Sequence, residues 1–277
     1  MAVLTISRQE GSLGDDIAEA VARAMNYSLF DKHQIHDMAA GFKGDFSSEM
    51  DVITNENKPG FFDFLFHQRS IYGHLTASMI YESAARDRCI ILGRGGQYLL
   101  AGKPHVINAR LVAPFELRVR RVMDRLQLEK KIATELVETS DQKREEFIAY
   151  LYREKVGDAK WYDIVIDTDR FPPDRVADFL VRELTRLDAD CPMTEDDSRL
   201  YRKLSLEKRI EIVLMKEMQE SNYVKVTANH DGHVILSGYL ATDAENKAVL
   251  RHVRHVDGVV SVENKIIVSQ FPVRPWY

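Results

Sequence analysis

The sequence predicts an α/β protein: a doubly wound parallel sheet over residues 1–187, then a small α+β unit. Three observations predict this. Short apolar runs alternate with amphipathic helical patterns as far as residue 187, an acidic stretch interrupted by Pro192 breaks that rhythm, and the strands beyond it are joined by tight turns. Strands that read as continuous apolar runs are buried on both faces, and helices between them imply right-handed parallel crossovers.

The elements follow in order. "AVLTIS" (2–7) is an apolar strand, followed by a turn carrying Gly11 and Gly14 and by a helix with Ile17, Val21, Ala24 and Met25 on one side. "YSLF" (27–30), "RCIILG" (88–93), "HVINARLVA" (105–113) and "YDIVIDT" (162–168) are the further strands. Leu117, Val119, Val122, Met123 and Leu126 recur at helical spacing after the fourth. The aromatic run 60–75 places Phe61, Phe62, Leu65, Phe66 and Tyr72 on a helix, for core or lid packing. Residues 188–198, "DADCPMTEDDS", are expected as a linker. In the second unit Leu206, Ile210, Val213, Leu214 and Met218 share one side of a helix. Two strands then turn at Asp231–Gly232, a helix spans about 243–255, and a last strand follows Gly258. The expected division is 1–187, linker 188–198, second domain 199–271 and tail 272–277.

Composition excludes several classes. The 277 residues exceed one average domain, and 45% hydrophobic with 29% charged residues is ordinary for a soluble globular chain. A net charge of -5 and a pI near 6.0 argue against a nucleic-acid binder, which needs a basic face. Cys89 and Cys191 form neither a disulfide framework nor a CxxC site. No basic-then-apolar leader opens the chain and no window is apolar enough to span a bilayer, so a cytoplasmic location is expected and a membrane role is not. Three HxxH pairs (His33/His36, His230/His233, His252/His255) lack carboxylate or thiol partners, so no metal site is expected.

The chemistry concentrates at "TISRQEGSLGDDIAEAVA" (5–22). A loop between a buried strand and a helix N-terminus gathers N–H groups and the positive end of the helix dipole, which suits phosphate. Asp15 stands where such loops carry lysine, Asp16 follows it, and Gln9 stands at the first glycine of the strict pattern.

In order, "ISRQEGSLGDDIA", "YSLFDKHQI", "IILGRGGQYLL", "ARLVAPFELRVRRVMDR", "DQKREEFIAYLY" and "YDIVIDT" resemble the cytidylate kinase-like family of P-loop nucleoside monophosphate kinases, over residues 1–185. The resemblance implies a P-loop kinase sheet, a monophosphate site and a lid. Gly11, Ser12 and Gly14 match its phosphate loop, while Leu13 replaces a glycine and Asp15 a basic residue. It implies that Arg94 holds the acceptor's phosphate, with Asp31 near the acceptor; a surface arginine and a helix N-cap are the structural alternatives. It implies that the helix carrying Arg118, Arg121 and Arg125 feeds these arginines toward the phosphates through the lid, Arg118 on the cofactor and Arg121 catalytic. It also implies that Asp141 and Arg144 form the D-x-x-R element of the lid-proximal helix, Asp141 at the substrate and Arg144 clamping the transferring phosphoryl. A solvated basic face and an i,i+3 ion pair are the alternatives there. The implied reaction moves the γ-phosphoryl of ATP, with Mg²⁺, to a monophosphate such as CMP or dCMP. The rival reading is a non-catalytic nucleotide-responsive regulatory or scaffold protein.

Residues 205–268 resemble a BON domain, on Gly232, Val234, Leu236, Ser237–Gly238, "VDGVVSV" and Asn264. That resemblance implies binding of phospholipid or another hydrophobic surface; a small hydrophobic ligand or a protein partner is expected here, as a sensing or interaction module. Val224, Val226, Val234, Leu236, Val260 and Val262 are expected on one buried side of its sheet. Oligomeric state stays open, a homo-oligomer included.

Overall fold

The structure is a computed structural model that describes residues 2–31, 34, 68–86, 88–217 and 224–269. Five parallel strands, β1 (Val3–Arg8), β2 (Ser28–Phe30), β3 (Cys89–Leu92), β4 (Val106–Val112) and β5 (Ile164–Asp167), form one sheet in the order β2-β3-β1-β4-β5. From β1 the chain goes first to the edge strand β2, returns to β3 beside β1, and then steps outward through β4 to β5, so the sheet is wound on both sides of β1.

Alternation along β1 explains why it reads as one apolar run. Ala2, Leu4 and Ile6 pack with α1 (Gly14–Met25) and α6 (Pro173–Asp190) on one face. Val3 points to the other, where Ile80 and Ala84 of α2 (Gln68–Ala85) cover it. Between the third and fourth strands lies the short α3 (Gly96–Leu99); α4 (Phe115–Leu126) and α5 (Lys130–Tyr152) pack together through Val119, Val122, Ala133 and Val137. The sheet, α1–α6 and their loops are the first unit.

The second unit is a three-stranded mixed sheet, β6 (Val224–Ala228), β7 (His233–Leu240) and β8 (Ser261–Val268), with β6 antiparallel and β8 parallel to β7. Its helix α8 (Asp243–Arg254) starts in a capping box between Thr242 and Glu245. Val224, Val226, Val234 and Leu236 are buried, and Val262 packs beside them. Val260 does not join them: it is 72% exposed, because it precedes the ladder that begins at Ser261 and only its backbone N–H is engaged, by Gly232 O.

Residues 188–198 are not an open linker. Asp188–Asp190 finish α6 and Glu195–Ser198 begin α7 (Glu195–Glu217), leaving 191–194 between them. This helix serves both units. Leu206, Ile210 and Leu214 enter the second core, as expected, whereas Tyr201 sits with Val3, Phe30 and Ile80, and Ile212 with Tyr72, Leu75 and Met79. Val213 is only half-buried, and Met218 lies outside the described residues, as do His33, His36, Phe61, Phe62, Leu65, Phe66 and the tail. Polar ties reinforce the α2–α7 contact: Glu211, itself paired within α7 to Lys208 at 2.6 Å, meets His74 at 2.8 Å, and Ser205 donates to Glu82 at 3.3 Å. Among the described residues no helix is long and apolar enough to cross a membrane.

Candidate functional site

Parallel strands end together, so the loops after β1, β2, β3, β4 and β5 share one edge of the sheet, where open α/β sheets place ligands. The loop after β1 runs from Gln9 to Leu13. Gly11 has φ +77° and could not carry a Cβ, which would stand 2.6 Å from the Arg118 carbonyl oxygen. Leu13 caps α1 at φ 61°, a left-handed conformation that glycine adopts at lower cost, so backbone strain sits on this loop. The Ser12 hydroxyl is buried and donates to Gln9 O at 2.8 Å.

Two helices grasp this loop. From α4, Arg118 Nε donates to Ala113 O at 3.0 Å, and its Nη1 to Glu10 O at 3.0 Å and to Asp141 at 2.6 Å. Arg121 reaches Gly11 O at 3.3 Å and the hydroxyl and carbonyl of Thr168 at 2.9 Å each, tying the loop to the end of β5. Arg125 pairs with Glu10 at 2.8 Å. From α5, Asp141 accepts the Glu10 N–H at 2.9 Å, and Arg144 donates to Glu10 at 2.9 Å and to Arg8 O at 3.4 Å. Asp141 and Arg144 stand 3.9 Å apart, so their direct pairing is weaker than either one's bond to the loop.

Arg118 and Arg121 are therefore turned onto the loop rather than into solvent, and Arg125, still largely exposed, reaches the loop through Glu10. The residue at their centre, Glu10, was not singled out by the sequence reading; its place directly before Gly11 was the available signal. Burial opposes ionisation of Glu10, but Arg144 and Arg125 outweigh it and hold the carboxyl below the usual carboxylate range. Burial pulls the Arg121 guanidinium down, against Asp169 and Asp167.

Asp15, at the position expected for lysine, bonds Arg8 at 3.0 Å. Burial works against its charged form, yet Arg8, then Arg144 and Arg125, leave it below the usual range. Across the loop, Gly93, Arg94 and Gly95 all have positive φ. Arg94 is 4% exposed, its guanidinium lies 5.8 Å from the Phe147 ring centre, and its carbonyl accepts the Tyr152 hydroxyl at 2.8 Å. Arg8, Arg94 and Arg144 line one cavity of about 20 Å³ with Ser7, Phe147 and Gln97. Below it Arg110, also absent from the sequence reading, donates to Ser7 at 2.9 Å and stacks over Tyr162. A basic residue closing the apolar β1 was the signal for Arg8, and one inside the apolar β4 was the signal for Arg110. Asp31 follows β2, and its carboxylate accepts the Gln34 N–H at 3.2 Å, the geometry of a helix cap. Among the described residues no group of three or more His, Cys, Asp or Glu side chains converges as a metal site.

Two sequence profiles match the chain: the cytidylate kinase-like family over residues 3–170 and the BON domain over residues 205–270. A solved structure of an uncharacterized protein from Eubacterium ventriosum superposes with TM-score 0.53 at 24% identity, covering 67% of this chain and 98% of that one, a likeness of fold. A shikimate kinase from Bacteroides thetaiotaomicron gives TM-score 0.41 at 15% identity, covering 66% of this chain and 98% of its own. A uronate isomerase from Corynebacterium glutamicum is 31% identical over 103 residues, 37% of this chain; the chain spans only 20% of that relative's length.

Proposed function

The chain belongs to the cytidylate kinase-like family and has a P-loop kinase fold; from that premise we propose that it transfers the γ-phosphoryl group of ATP to a nucleoside monophosphate of the CMP or dCMP kind. One observation carries the reading: three arginines from separate elements, Arg8, Arg94 and Arg144, line one cavity at the strand ends. Phosphoryl transfer needs little from a protein beyond positioning and cationic stabilisation of equatorial oxygens. Arg94 holds the acceptor phosphate. Arg144, fixed through Glu10, faces the transferring group, and Arg121 keeps Gly11 in place.

Mg²⁺ keeps most of its ligands from water and substrate phosphates, and needs only one or two carboxylates. Asp16, exposed on the first turn of α1, is the loop carboxylate suited to it. When bound, the ion would neutralise charge on the β- and γ-phosphates.

The second unit is read as a sensing or interaction module for a hydrophobic ligand or a protein. Its coupling to the kinase half runs through α7, which contributes side chains to both cores. We place the domain division along the faces of this helix, Tyr201 and Ile212 going with the first unit and Leu206, Ile210 and Leu214 with the second.

The test is ADP formation from ATP and Mg²⁺ with a panel of nucleoside monophosphates. Turnover with CMP or dCMP supports the reading, and silence across the panel overturns it. The rival, a nucleotide-responsive protein without turnover, has one observation in its favour: Arg118, Arg121 and Asp15 already engage protein groups. Calorimetric binding of CMP with no ADP formation would establish that rival.

A further inference from the structure

The acidic residue at the lysine position has a partner, and that partner changes what the loop can do. Gly14 lies in the first turn of α1 without a positive φ, so backbone freedom does not explain it; a Cβ there would stand 2.6 Å from Arg8 Cβ. A Cβ on Gly93 would stand 2.5 Å from Arg8 Nη1. Gly14 thus makes room for the Arg8 side chain, and Gly93, required by its own φ of +80°, lies against the guanidinium end. Arg8 reaches across the first turn of α1 to Asp15, its side chain is 12% exposed, and its buried Nε has no hydrogen-bond partner among the described residues. A buried charged donor left unbonded is costly, which marks a group built to meet another acceptor.

The geometry points to Arg8 as the phosphoryl-binding cation that stands in for the missing loop lysine, with Asp15 as its positioning residue. This inference rests on the phosphoryl-transfer reading of the same site and adds the residue that grips the donor's phosphate chain. The cavity it lines with Arg94 and Arg144 has room for about one water. Asp15 holds Arg8 Nη2 at 3.0 Å, so a phosphoryl oxygen reaches that nitrogen by taking the carboxylate's place. Asp15 presets the Arg8 fork and is released by the exchange. A lysine at position 15 would instead set a second cation against Arg8.

The experiment is calorimetric titration of the full chain with inorganic tripolyphosphate, for the wild type, Arg8→Gln, Arg8→Lys, Asp15→Asn, Asp15→Lys and the double variant Arg8→Gln/Asp15→Asn. A lost charge-assisted contact should weaken binding about 10- to 100-fold in Arg8→Gln, with partial recovery in Arg8→Lys. Asp15→Asn should change affinity little while Arg8 is present, yet raise it in the Arg8→Gln background, where the unpaired carboxylate repels phosphate. Equal effects in both backgrounds, wild-type binding by Arg8→Gln, tighter binding by Asp15→Lys, or no binding by the wild type would each overturn the inference. Thermal melts identify a variant that fails to fold, and if Arg8→Gln is one, Arg8→Lys and Asp15→Asn carry the comparison. Arg8-dependent tripolyphosphate binding without ADP formation from any monophosphate would keep this inference and reject the kinase reading. ADP formation indifferent to Arg8 would do the reverse.

Discussion

Tyr201 tests where the first unit ends. It lies on α7 beyond the stretch expected as a linker, yet it is 1% exposed, its ring stacks at 6.2 Å from Tyr81, and its hydroxyl meets His105 Nε2 at 2.7 Å. His105 precedes β4, is 2% exposed at its side chain and has Asp197 at 3.7 Å on its other nitrogen. Tyr201→Phe keeps the ring and deletes the bond, leaving a buried imidazole nitrogen without its partner, at a cost of about 1–3 kcal/mol. Tyr201→Ala also removes the ring from a packed cluster and should cost about 3–5 kcal/mol. Urea unfolding followed by Trp161 fluorescence in a Trp276→Phe background reads the first unit alone, since the sequence has two tryptophans. With a slope of about 2 kcal/mol/M, a 2 kcal/mol loss moves the midpoint down by roughly 1 M. If Tyr201→Phe leaves that midpoint within about 0.2 M of the parent, or if Tyr201→Ala alters only a transition that Trp161 does not report, α7 is not part of the first core.

Three further predictions follow from the site. Gly11→Ala should lose about 1–3 kcal/mol from its positive φ alone and displace the Arg118 carbonyl, so both the thermal midpoint and tripolyphosphate affinity should fall. Glu10→Gln, which leaves Arg125 and Arg144 without their carboxylate, should lose about 1–3 kcal/mol at neutral pH. Because the folded Glu10 carboxyl titrates below its unfolded value near 4.3, its contribution is complete above that pH and lost as pH falls through the folded value; urea midpoints of wild type and variant should therefore converge in acid. Gly95→Ala would set a Cβ 2.2 Å from Tyr152 Cε2 at φ +80°, so it should break the Tyr152–Arg94 bond and raise KM for the acceptor monophosphate more than it lowers kcat.

Much of the fold was legible because burial on both faces leaves a local record. The runs at 2–7, 88–93 and 105–113 became β1, β3 and β4 with each end shifted by one residue, and Asp231–Gly232 turns the β6–β7 hairpin. α7 misled for a physical reason. Its two buried stripes, Leu206–Ile210–Leu214 on one side and Tyr201 with Ile212 on the other, dilute the one-sided period that marks a domain-bound helix, so an acidic first turn with Asp196 and Asp197 reads as linker. Val260 was misread because alternation gives parity along a strand and says nothing of where the ladder begins.

The sequence by itself determined the positions of the strands, the order of the motifs, the glycine-bearing loop after β1 and the presence of arginines at 94, 118, 121, 125 and 144, since each is a property of neighbouring residues. Only the tertiary structure decided what those charges face. Glu10 meets Arg125 and Arg144 across more than a hundred residues of chain, and Arg8 fits between Gly14 and Gly93 because parallel pairing of β1 with β3 brings two distant loops to one edge. Coulomb partners are set by distance in space, and spacing along the chain records them only within one helix or one turn.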